Sequence, residues 1–183
     1  MSTLRERQAP LKAQYEADPE SAKLVMTVRS ATVSDDPTRC TVAACDREGN
    51  PVVSWNAGAH PMAGGEGDLA CSGDLLLASL AACQEITFRM VAAAMGIELR
   101  NVDITIEGDL DFRGTMGIDP ETPVGFQRIR SSIRFDADAA PDRLERLAQR
   151  AERYCVVGAT LREGTALTTD IAPRAESGNG QHG

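Results

Sequence analysis

The chain has 183 residues, enough for one domain with a sizeable buried core. Its 19 Lys and Arg against 27 Asp and Glu give a net charge of −8, and no basic stretch is present to neutralise phosphates. Nucleic acid and membrane partners are therefore not expected. Only His60 and His182 are available as imidazoles, which argues against Ser–His–Asp or Cys–His hydrolysis.

Residues 1–20 are charged and alanine-rich, with Leu4, Leu11 and Tyr15 as the sizeable apolar groups, and are predicted as a loose helical arm. Residues 1–7 lead into no apolar run, so no secretory signal is expected. Five cysteines (Cys40, Cys45, Cys71, Cys83, Cys155) form no framework, and the expected setting is a reducing cytoplasm. A domain over residues 21–173 follows. The β-branched stretches 22–33 and 38–45, then 52–56, predict three antiparallel strands with short turns. Residues 58–70, with Gly58, Gly64, Gly65 and Gly67, form a loop. It lacks the Lys-Ser/Thr of a phosphate loop.

The stretch Cys71 to Met95 predicts a long central helix. Ser72 is placed to cap it, Asp74 suits its positive end, and Gly96 stops it. Leu75, Leu76, Leu77, Ala78, Leu80, Ala81 and Ala82 cover nearly its whole circumference, so it must be buried all round, in a core shared with a second subunit. Gln84, Glu85 and Arg89 break the apolar run short of the roughly 20 residues a bilayer requires. Residues 102–112 alternate, placing Val102, Ile104, Ile106, Leu110 and Phe112 on one face and Asp103, Thr105, Glu107, Asp109 and Asp111 on the other. That acidic row reads as a solvated strand face rather than a cation site. A loop over 113–123, a strand over 126–135, a helix over 141–154 and a closing strand over 166–172 complete an α+β domain of order βββ-α-ββ-α-β. Residues 174–183 are predicted as a disordered tail.

Cys83 lies mid-helix between Ala82 and Gln84, where nothing local lowers its pKa. A reactive thiolate there requires an arginine brought from elsewhere in the fold or from the partner subunit. The bland alternative is an inert cysteine packed among alanines. Cys155 follows a helix end. Cys71, at a helix start, is the rival thiol, because a helix N-terminus favours a thiolate. Cys40 and Cys45 face opposite sides of one strand and are structural. No Cys-x-x-Cys pair occurs, and neither a metal nor another cofactor is expected.

The stretches Asp74 to Cys83 and Glu152-Arg-Tyr-Cys-Val-Val157, in this order of elements, resemble the OsmC/Ohr superfamily of osmotically inducible and organic hydroperoxide resistance proteins. The resemblance spans about residues 22–172, in an OsmC-like branch. It implies an intertwined homodimer, with an antiparallel sheet wrapped around paired central helices. It also implies a thiol peroxidase that reduces organic hydroperoxides in oxidative-stress defence. Cys83 would be the peroxidatic thiol and Cys155 the resolving one, with an external dithiol as reductant. The family's glutamate ten residues before the helix cysteine is Gly73 here, so Asp74 is the nearest acid. Arg29, Arg39 and Arg47 are candidates for its arginine, with Arg47 taken as the binding residue beside Cys71. The competing expectation is a non-catalytic dimer that binds a small apolar ligand at the same interface. An arginine bridging Cys83 and an acid such as Asp74 would favour the enzyme.

Overall fold

The computed structural model describes residues 3–173. The predicted tail, 174–183, lies outside them. The arm contains helix α1 (Leu4–Ala17), opened by a capping box in which Thr3 and Glu6 satisfy each other's backbone N–H groups. Strands β1 (Thr27–Ala31), β2 (Arg39–Cys45) and β3 (Pro51–Gly58) form an antiparallel meander. Its register sets Val42 against Trp55 and Ser30 against Val42.

Helix α2 (Ser72–Ala94) is the longest element. Its cap differs from the expected one. Cys71, not Ser72, is the N-cap: its Sγ accepts the Asp74 N–H at 3.4 Å, and the Asp74 carboxylate accepts the Cys71 N–H at 2.9 Å. Gly96 follows at φ +63°, the left-handed position that ends a helix without a Cβ penalty. By length and composition α2 does reach the range of a membrane-crossing helix, contrary to the sequence expectation. It packs against strand β4 (Leu99–Asp109) and against helices α4 (Pro141–Tyr154) and α5 (Val156–Glu163), with Leu80, Phe88 and Ala92 buried. Leu76, Ile86 and Met90 stay exposed, so within the subunit it is not buried all round as its composition predicts.

Strand β4 pairs with β5 (Arg128–Ala137) in a separate two-stranded antiparallel sheet. The alternation holds: Val102, Ile104 and Ile106 turn inward, while Asp103, Glu107 and Asp109 are exposed. The acidic row meets arginines across the ladder, with Arg130 bonded to both Asp109 and Glu107. Strand β4 ends at Asp109, short of the predicted Phe112: Asp111 caps a short helix, α3 (Phe112–Thr115), that takes up Phe112 and the start of the predicted 113–123 loop. The core joins the C-terminal half of α2 to α4 and the β4–β5 sheet: Phe88, Ala92, Ile97, Leu147 and Ala151 are buried, with Phe88 edge-on to Phe135 at 4.9 Å.

Two elements depart from expectation. Helix α5 was not foreseen. Residues 166–172 form no strand, because a strand exists only in a ladder and no sheet edge among the described residues pairs with them. Leu167 and Ile171 are 90% and 93% exposed.

Candidate functional site

Cys83 and Cys155 come together. Their sulfur atoms are 3.4 Å apart, with the Cys155 thiol donating to Cys83. A bond of about 2.05 Å requires only a small further approach. The meeting follows from how the chain breaks after α4. Cys155 leaves the helical region (φ −75°, ψ 103°) and serves as N-cap of α5, accepting the Gly158 N–H at 3.3 Å. Its side chain is buried at 1% exposure, against the face of α2 that carries Cys83, which is half-buried.

The two thiols are driven apart in acidity. Burial opposes ionisation of Cys83, but the Val157 N–H, the Cys155 thiol, the Thr87 hydroxyl and the Val156 N–H together outweigh it, lowering its pKa below 9.0. Val156 and Val157 are the first residues of α5, whose unpaired N–H groups and positive dipole end suit an anion. Thr87 stands one turn after Cys83 on α2. Cys155 moves the other way. Burial raises its pKa and the neighbouring Cys83 adds to this, while the Gly158 N–H and Arg162 oppose it. One thiol held more acidic than usual and one held less acidic therefore sit in contact.

The other expected residues are elsewhere. Asp74 belongs to the cap of α2. It lies nine residues from Cys83, on the opposite face of the helix and about 13 Å along it. The Cys71 N–H holds the Asp74 carboxyl below the usual range, as a fixed anion engaged in its own helix. Cys71 is occupied in the same cap and lines an apolar cavity of 640 Å³ with His60, Leu76, Leu110, Phe112 and Phe126. Arg39 is held by Asp36, Glu66 and Asp68. Arg29 lies over the β2–β3 turn at Gly49, and Arg47 is exposed in that turn. None of the three arginines is a hydrogen-bond partner of Cys83. The groups within the subunit that favour the Cys83 anion are thus the start of α5 and Thr87.

Sequence reading missed α5 because Val156, Val157 and Gly158 open it, and β-branched residues and glycine are poor helix formers. The available signal was Leu161, Arg162 and Glu163 followed by Gly164, which closes the helix at φ +66°. Among the described residues no group of three or more His, Cys, Asp or Glu side chains is placed to hold a metal.

The family model described as OsmC-like protein matches residues 65–170. Comparison with curated protein sequences finds no match. Solved structures share the fold. An OsmC-like protein from Mycoplasma pneumoniae superposes with a TM-score of 0.60 at 17% identity, covering 76% of this chain and 89% of that one. An organic hydroperoxide resistance protein OsmC from Legionella pneumophila gives 0.54 at 21% identity, over 76% and 90%. An organic hydroperoxide resistance protein from Elizabethkingia anophelis gives 0.52 at 16% identity, over 75% and 89%.

Proposed function

Because this chain belongs to the OsmC-like protein family, we propose that it is a cysteine-dependent peroxidase reducing organic hydroperoxides. The observation that carries the reading is the 3.4 Å contact between a thiol of lowered pKa and one of raised pKa. Cys83, as thiolate, attacks the terminal peroxide oxygen. The O–O bond breaks, Cys83 becomes a sulfenic acid, and the departing alkoxide takes a proton to leave as the alcohol. Cys155 then condenses with Cys83 to a disulfide, with loss of water. An external dithiol returns both cysteines to thiols by exchange. The mainly apolar helix α2 that carries Cys83 favours an alkyl peroxide, which gains by leaving water.

The working unit in this reading is a homodimer. Leu76, Ile86 and Met90 on α2, Val28, Val52 and Val53 on the meander, and Leu167 and Ile171 near the C-terminus are all exposed. A second copy would cover these groups and offer the 166–172 segment a sheet edge. The free cysteines fit a reducing compartment such as the cytoplasm.

One observation favours a second reading. The 640 Å³ cavity beside Cys71 is lined mainly by apolar groups and does not include Cys83, so it suits a non-catalytic binder of a small apolar ligand. Turnover of an organic hydroperoxide with a dithiol reductant separates the two. The peroxidase consumes peroxide and loses this on Cys83→Ser. A binder consumes none, with or without Cys83.

A further inference from the structure

A two-thiol cycle needs two thiolates in succession from one crowded spot, and α5 carries groups for both. Resting on the peroxidase reading above, we propose that Arg162 is the positioning residue of the resolving step, holding Cys155 as a thiolate once Cys83 has been oxidised. Cys155, Gly158 and Arg162 stand at i, i+3 and i+7, one face of α5. Gly158 is buried, and a Cβ there would stand 3.2 Å from both Arg162 Nη1 and Cys155 Sγ. Guanidinium and sulfur thus converge over one bare stretch of backbone, within twice that distance of each other. The Gly158 N–H donates to the same sulfur at 3.3 Å. Arg162 is anchored, since its Nη2 donates to the Glu152 carbonyl at 3.0 Å and its Nη1 lies 3.5 Å from Glu152 Oε1.

The ionisable groups that bear on Cys155 are Cys83 from α2 and Arg162 from α5, and Arg162 is itself paired with Glu152 near the end of α4. While Cys83 is a thiolate its charge keeps the proton on Cys155. Attack on peroxide makes Cys83 a neutral sulfenic acid, and the repulsion vanishes while Arg162 and the Gly158 N–H remain. Cys155 then releases its proton to solvent, and its thiolate attacks Cys83 Sγ. The S–S bond forms, the S–O bond breaks, and the departing hydroxide takes up a proton as water. The order of steps is set by charge. Oxidation of Cys83 is what lets Arg162 act.

The test uses the full chain with one equivalent of cumene hydroperoxide. Cys83 sulfenic acid is trapped with dimedone and the disulfide followed by mass spectrometry. Arg162→Gln is expected to oxidise Cys83 at the wild-type rate but to form the disulfide about fivefold more slowly at neutral pH, a size set by solvent screening of a half-exposed charge. The deficit closes as rising pH ionises Cys155 unaided, and Arg162→Lys restores much of the rate. Glu152→Gln, which removes the opposing carboxylate and keeps the arginine, speeds resolution about twofold. An unchanged disulfide rate in Arg162→Gln, or a deficit that persists at every pH and in Arg162→Lys, overturns the proposal. If Arg162→Gln does not fold, the absence of any gain in Glu152→Gln overturns it instead. Wild-type Cys83 left unoxidised overturns the peroxidase reading itself, and this assignment with it.

Discussion

Thr87→Val tests where the reactivity of Cys83 comes from. Threonine and valine have nearly the same shape and similar helix propensity, so the change removes a hydroxyl donor and little else from α2. A hydrogen bond to a charged group contributes about 1.5 kcal/mol or more, equivalent to about tenfold in an equilibrium. Cys83 is half-buried and water can replace part of the lost bond. The expected loss is therefore roughly three- to tenfold in thiolate population at neutral pH. The sign is fixed: the hydroxyl favours the charged form, so its removal moves ionisation of Cys83 towards higher pH. The assay is iodoacetamide labelling of Cys83, read by peptide mass spectrometry from about pH 6 to about pH 10. A labelling profile identical in both proteins would refute the hydrogen-bond account of activation.

Four further outcomes are expected. Asp74→Ala destabilises the fold by about 1 kcal/mol through loss of the α2 cap, measured by denaturant titration, and leaves Cys83 labelling unchanged. Because the Asp74 pKa is lowered below 3.8, its stabilisation is present above that pH and is lost as the pH falls through the folded value, so the difference from wild type closes in acid. Leu147→Ala, at a side chain with 0% exposure, costs about 2–5 kcal/mol and lowers the melting temperature. Light scattering on a sizing column finds a dimer, and Ile86→Asp, on the exposed face of α2, shifts it to monomer or aggregate.

The sequence carried the scaffold well where one strong pattern decided each element. The strict alternation of Val102 to Ile106 marked β4, and the apolar run from Leu75 onward, closed by Gly96, marked α2. It placed Cys83 on α2 and Cys155 after α4, but the contact between them depends on tertiary packing that no spacing encodes. Helix α5 was hidden by Val156, Val157 and Gly158, poor helix formers at its start, although the missing Cβ of Gly158 leaves room between Cys155 and Arg162. With α5 unseen, an arginine was the only visible source of activation, and Asp74 the only visible acid. Within the subunit Asp74 is engaged in its own cap and Arg39 in its own carboxylate cluster, away from Cys83. The closing strand at 166–172 was misplaced for a related reason. Its pattern is that of a strand, but a strand needs a partner, and no edge among the described residues pairs with it.

The most direct test of the account is a disulfide map after one equivalent of an organic hydroperoxide, with Cys83→Ser alongside. The account predicts a rapid Cys83–Cys155 bond in the wild type and none in the variant. Thiols left intact, or oxidation confined to Cys71, would contradict it.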